Sequence, residues 1–164
     1  MGVEIERKFL PANDGWRGLG TPTLMRQGYL VSDAVRTVRV RIEGERAVIT
    51  VKGKSTGIRR GEWEYEIPVA DAVELLDGLC EQPLVEKIRH RIAHAGHVWE
   101  VDEFLGLNAG LVVAEIELDA EDEAFDKPDW IGAEVTAEKR YTNASLVRMP
   151  YSRWPDEPQR QDTP

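Results

Sequence analysis

Along most of this 164-residue chain, charged and apolar residues alternate with a period of two. That period puts them on opposite faces of a β-strand. Val3–Phe9 sets Glu4, Glu6 and Lys8 against Val3, Ile5 and Phe9, with Arg7 the exception. Thr37–Ile42 sets Arg39 and Arg41 against Val38, Val40 and Ile42, and Val48–Lys52 sets Thr50 and Lys52 against Ile49 and Val51. Glu62–Val69 opposes Glu62, Glu64 and Glu66 to Trp63, Tyr65, Ile67 and Val69. Val85–Ile92 carries Lys87, Arg89 and Arg91, Val98–Phe104 carries Glu100 and Asp102, and Leu111–Leu118 carries Glu115 and Glu117. Leu24–Leu30 is a weaker strand with Gln27 and Tyr29 on one face. Glu43-Gly44-Glu45 and His94-Ala95-Gly96 read as hairpin tips. Helical signals are few. Asp71–Leu79 has Val73, Leu76 and Leu79 at helical spacing, with Asp71 as the N-cap. A second helix starts near Asn143 and stops at Pro150, and Asp122–Gly132 supplies further helical turns. The expected chain is mainly β (α+β), with one domain over 1–154 and a polar, proline-rich, disordered tail over 155–164.

The placement of charge narrows this further. Thirty acidic residues stand against 21 Lys and Arg, a net charge of −9, which argues against non-specific nucleic-acid or membrane-surface binding. No apolar run approaches the roughly 18 residues of a membrane helix. The N-terminus carries glutamates where a signal peptide would be basic and apolar. One cysteine, Cys80, excludes an internal disulfide framework and fits a reducing cytoplasm.

Within the strands the signs are segregated: glutamates, then arginines, then glutamates, then cations, then glutamates again. Same-face neighbours i and i+2 lie about 7 Å apart, where like charges repel by about 0.6 kcal/mol in water and several-fold more when partly buried. An ordinary wet sheet face intersperses its charges instead. Eight such strands can close into an antiparallel barrel. With the charged faces inward, the product is a tunnel with cationic walls and an acidic patch. Cationic walls bind a polyanion and clustered carboxylates bind a hard divalent metal. A polyphosphate chain with its magnesium needs both.

Glu4-Ile5-Glu6-Arg7-Lys8 matches the ExExK signature of the CYTH, or triphosphate tunnel metalloenzyme, superfamily. The resemblance runs to about residue 148. It takes in Gln27-Gly28-Tyr29-Leu30, Arg39-Val40-Arg41, Thr50-Val51-Lys52-Gly53 and Glu62-Trp63-Glu64-Tyr65-Glu66. It continues through Lys87-Ile88-Arg89, Val101-Asp102, Ala114-Glu115-Ile116-Glu117 and Lys139-Arg140-Tyr141-Thr142-Asn143. The resemblance implies a closed antiparallel eight-stranded tunnel barrel with a few covering helices, and chemistry on triphosphates that depends on Mg²⁺ or Mn²⁺. It makes Glu4, Glu6, Glu115 and Glu117 metal ligands, with Glu62, Glu64 and Asp102 as further acidic positions. Lys8, Arg39, Arg41, Lys52, Lys87, Arg89 and Lys139 become the phosphate clamp. Lys8 and Tyr29 are the catalytic candidates. The Lys8 ammonium can reach the phosphate under attack or, with a depressed pKa, help activate the water; Tyr29 can polarise Lys8 or orient that water.

The leading expectation is hydrolysis of inorganic tripolyphosphate to pyrophosphate and phosphate, because no segment builds a base pocket. The alternatives are a class IV adenylyl cyclase, a thiamine or nucleoside triphosphatase, and a non-catalytic polyphosphate-binding module. The expected partner is a triphosphate-containing small molecule, with no membrane; a homodimer is left open. Other signals carry less. Gly53-Lys54-Ser55-Thr56 lacks the earlier glycine of a P-loop, since that position is Val48. His90, His94 and His97 read as surface residues, and Arg59-Arg60 as a solvated turn. Arg91, near a strand end, is left out of the clamp. Trp63 and Trp99 read as barrel cover.

Overall fold

The computed structural model describes residues 2–155. Nine antiparallel strands carry the fold: β1 (Gly2–Pro11), β2 (Thr21–Ser32), β3 (Thr37–Glu43), β4 (Arg46–Lys52), β5 (Arg59–Ile67), β6 (Val85–His94), β7 (His97–Phe104), β8 (Val112–Glu117) and β9 (Ile131–Glu134). Eight of them close a ring in the order β1-β5-β4-β3-β2-β6-β7-β8 and back to β1, and β9 adds a short ninth strand beside β1. The closure is made by β1 alone. Its first half pairs with β5, from Gly2 opposite Glu62 to Ile5 opposite Arg59. Its second half pairs with β8, from Glu6 opposite Glu117 to Phe9 opposite Ala114. A strand shared in this staggered way is what a tilted barrel requires.

Register carries the alternation around the ring. Glu6 faces Glu117, Lys8 faces Glu115, Tyr29 faces Arg39, Lys52 faces Glu62 and Arg89 faces Asp102. Opposed residues of an antiparallel pair share a face, so the charged set falls on the inner one. Both expected hairpin tips are present as two-residue turns. Ala95 and Gly96 both have positive φ, 48° and 83°, as a turn between right-twisted strands demands.

The apolar outer face is covered in two places, and a third apolar cluster closes one end of the interior. Helix α1 (Val69–Gly78) lays Ala72 and Leu76 over Val40 and Ala47. Helix α2 (Asn143–Arg148) packs against the inner face at one end of the barrel, bringing Leu146 and Val147 to Tyr29 and Val85, which share that face with Arg39 and Lys87, and to Trp154. The segment leading to β9 seals Ile5, Phe9 and Trp99 with Phe125 and Trp130. Trp99 is therefore on the outer face yet fully buried.

Several expectations change. Asp71 is not the N-cap of α1: the chain enters the helix at Pro68, and Asp71 sits in the first turn, where its charge favours the helix dipole. Asp122–Gly132 forms no helix; it is irregular, with turns at Asp122 and at Asp129–Trp130, Ala12 N donating to Trp130 O at 2.8 Å and Ile131 starting β9. That segment has no apolar period of 3.6 and contains Pro128. Arg59 and Arg60 begin β5 rather than forming a turn. The expected tail, 155–164, lies outside the described residues except for Pro155.

Candidate active site

The ring encloses a cavity of about 410 Å³. Eight cations and seven carboxylates line it, so its interior is slightly cationic in a chain of net charge −9. The charges that the sequence spreads from Glu4 to Glu117 thus converge. Of the expected metal set, Glu4, Glu6, Glu62, Glu64, Glu115 and Glu117 all line the cavity. Of the expected clamp, Lys8, Arg39, Arg41, Lys52, Lys87 and Arg89 line it, and so does Tyr29.

Two residues are placed differently. Lys139 is exposed on a short 3-10 turn (Lys139–Tyr141) and is not among the lining residues, so the structure does not bring it to the clamp. Asp102 is on the inner face but fully buried behind it. Its Oδ2 accepts from Lys87 Nζ at 2.8 Å and Arg89 Nη2 at 2.9 Å, and its Oδ1 accepts from Arg89 Nε at 2.7 Å. With both oxygens committed to buried cations, Asp102 is a counter-ion for the clamp and not a free metal ligand. Those cations hold its carboxyl well below the usual range even though burial opposes its charge. Burial pushes Lys87 down to about 8, with Arg89 adding to the effect and Asp102 opposing it.

The acidic residues divide by position. Glu4 is closed by Lys52, whose Nζ donates to its two oxygens at 2.9 and 3.0 Å. Burial nevertheless raises the Glu4 pKa, with Glu62 contributing. Burial and then Glu6 raise Glu115; burial and then Glu4 and Glu6 raise Glu117. These carboxylates repel one another, and Lys52, Lys8 and Arg89 offset that only in part. In kind they fit a hard divalent cation, since all are carboxylate oxygens. Among the described residues, however, no group of three or more His, Cys, Asp or Glu side chains is gathered closely enough to hold one.

Lys8 lies between Glu6 at 3.7 Å and Glu115 at 3.9 Å. Burial opposes its charge, but Glu115 and Glu6 outweigh burial and raise its pKa. The expected option of a depressed lysine pKa therefore does not match the geometry, and contact with phosphate as a cation does. Arg39 and Arg41 approach Glu64 only at 3.9 and 4.0 Å, and Arg41 approaches Glu43 at 3.6 Å. The Nε of each guanidinium is buried without a hydrogen-bond partner. Burial, then Arg39 and Arg89, push Arg41 down to about 10.

Five polar lining residues were not placed in the site by the sequence reading: Arg60, Arg91, Glu100, Thr37 and Asn143. Arg91 and Glu100 follow the same alternation and pair with each other at 3.2 Å. The alternation already puts both on the charged face, and β6 runs two residues further than expected, to His94, so Arg91 is not at the strand end that set it aside. Arg60 sits opposite Glu4 on β1. Asn143 comes from α2, where no strand period reports on it.

Comparison with known proteins follows the same lines. The sequence pattern of the CYTH domain matches residues 2–151. An inorganic triphosphatase of Acetivibrio thermocellus is 54% identical over 151 residues, covering 92% of this chain and 97% of that protein. An inorganic triphosphatase of Nitrosomonas europaea is 38% identical over 150 residues, covering 88% and 97%. The crystal structure of the inorganic triphosphatase NE1496 superposes with a TM-score of 0.64 at 36% identity, over 90% of this chain and 95% of that one. With the tunnel, its ordered charges and these matches in agreement, the chain belongs to the CYTH domain family.

Proposed function

We propose that this protein hydrolyses inorganic tripolyphosphate to pyrophosphate and phosphate inside the tunnel, with Mg²⁺ or Mn²⁺. The observation that carries the reading is the pair of buried, unpartnered Nε atoms on Arg39 and Arg41, two residues that line the polar cavity. Buried donors without partners are costly, and a chain of phosphate oxygens would satisfy them with charge-assisted bonds. The named activity of the 54% identical relative points the same way. Tyr29 is the only aromatic side chain among the described lining residues, so the cavity offers little to a nucleobase or thiamine ring.

Phosphoryl transfer asks mainly for positioning and charge neutralisation. Arg39 and Arg41 bind phosphate oxygens from β3, while Lys87 and Arg89 do so from β6. Lys8 meets the phosphate under attack as a cation, and Tyr29, buried beside it, orients the water. The water oxygen forms the new bond to the terminal phosphorus, the bridging P–O bond breaks, and pyrophosphate leaves with the electron pair. Glu6, Glu115 and Glu117 would hold the divalent ion, joined by Glu4 once Lys52 turns from it to the phosphate chain, and the ion when bound would supply neutralising charge to the phosphate oxygens. The single buried cysteine accords with a cytoplasmic setting. Among the described residues no helix is long and apolar enough to cross a membrane.

The test supplies tripolyphosphate, ATP or thiamine triphosphate with Mg²⁺ or Mn²⁺ and follows products by phosphorus NMR. Equal pyrophosphate and phosphate from tripolyphosphate, far above the other substrates, is the expected result. Cyclic AMP from ATP would overturn it. Excess chelator should abolish turnover, and Glu4→Gln should lower kcat at least about 100-fold while circular dichroism shows the fold intact. Full activity in chelator would remove the metal assignment.

A further inference from the structure

Asn143 opens α2 and lines the tunnel. Its Oδ1 accepts from Lys87 Nζ at 2.9 Å and from Gln27 Nε2 at 3.1 Å. Both donors belong to fully buried side chains. The remaining fixed acceptor for Lys87 is Asp102, at 2.8 Å. An ammonium on a four-carbon stem has three rotatable donors and no direction of its own. Here one acceptor on β7 and one on α2 hold two of those donors and so fix the third. The two acceptors differ in kind. Asp102 neutralises charge, whereas an amide oxygen orients the ammonium without cancelling the charge an anion would seek. The seat of Asn143 is rigid, because Thr142 Oγ1 accepts from Ser145 N at 3.2 Å and Leu146 and Val147 are buried against the barrel.

We propose that Asn143 is a positioning residue of the phosphate clamp: its amide oxygen aims the Lys87 ammonium, so the docking of α2 governs that cation's contact with the polyphosphate. The inference rests on the reading of the tunnel as a triphosphate site. It makes α2 part of the substrate machinery as well as a cover for the barrel.

The test is a double-mutant cycle on tripolyphosphate hydrolysis with Mg²⁺, using Asn143→Ala, Lys87→Met and the pair, each checked by thermal melting. Asn143→Ala should lower kcat/KM about 10-fold, the scale of one charge-assisted hydrogen bond. Added to Lys87→Met it should cost less than about 2-fold more, because it acts through the missing lysine. Full multiplication of the two effects, or no effect of Asn143→Ala alone, would overturn the proposal. Lys87→Met leaves Asp102 to Arg89 and is the variant most exposed to misfolding. A second measurement therefore needs only Asn143→Ala: the lysine ammonium ¹H–¹⁵N signals of the substrate-free protein. The Lys87 signal should shift or broaden, while that of Lys52, held by Glu4, stays in place; an unmoved Lys87 signal would overturn the proposal. A wild type that does not cleave tripolyphosphate would strike the functional reading instead, and the ammonium signals would still decide the role of Asn143.

Discussion

On β6 and β7, Lys87 and Arg89 are tied to Asp102 by hydrogen bonds of 2.7 to 2.9 Å, whereas on β3 Arg39 and Arg41 reach carboxylates only at 3.6 to 4.0 Å. Both walls present buried cations to the same cavity. On the first wall, a buried carboxylate offsets the cations and fixes their positions before any ligand arrives. On the second, burial and then repulsion from Arg39 and Arg89 disfavour the charge of Arg41, and two Nε donors are left without acceptors. The difference separates a preorganised frame from a ligand-seeking surface. Burial lowers Lys87 on the first wall as it lowers Arg41 on the second, so hydrogen bonding is what separates the walls, and a bound polyanion would supply the acceptors that the second one lacks.

The largest effect that bears on this contrast should come from Asp102→Ala. Removing one partner of a fully buried ionic cluster typically costs about 3–5 kcal/mol, here because Lys87 and Arg89 lose their counter-ion. Denaturant unfolding measures it, and a loss under about 1 kcal/mol would break the contrast. The depressed carboxyl of Asp102 makes its contribution complete above the unfolded value near 3.8, and lost only as pH falls through the lower folded value. Arg41→Ala should behave in the opposite sense, changing stability by no more than about 1 kcal/mol of either sign. It should also lose much of the roughly 2.7 kcal/mol of ligand-induced stabilisation that the wild type gains at one hundred times its Kd. A large intrinsic destabilisation by Arg41→Ala would show that β3 is frame as well.

The smallest effect is expected outside the barrel, where Arg7 Nε donates to Glu134 at 2.8 Å and both side chains are about a third exposed. Solvent screening limits Arg7→Ala to about 0.2–1 kcal/mol. The bond to Arg7 holds Glu134 down to about 2. Its contribution is therefore present above the ordinary value of 4.5 and lost as pH falls from there to about 2. Melting of wild type and Arg7→Ala should converge across that window.

Much of the tunnel was legible because a strand's period is two and one error of register would reverse every face. Glu4, Arg39, Lys87 and Glu115 converge for that reason alone. Alternation reports the face but not the depth: Asp102 has the right face, yet it stands behind Lys87 and Arg89. Lys139 and Asn143 lie where no period operates, on a 3-10 turn and a short helix start. The first was wrongly placed in the clamp and the second was overlooked. The 122–132 segment failed for a related reason. Its acidic run and proline carry no strand alternation, and it is fixed by packing of Phe125 and Trp130 on distant Phe9 and Trp99.

The most direct test of the ligand-seeking wall is calorimetric titration of tripolyphosphate into the wild type and Arg39→Ala, in excess chelator, where no turnover is expected. Loss of charge-assisted bonds worth about 1.5–3 kcal/mol predicts a Kd weakened about 10- to 150-fold. Equal Kd values for the two proteins would contradict the assignment of β3 as the surface that binds the phosphate chain.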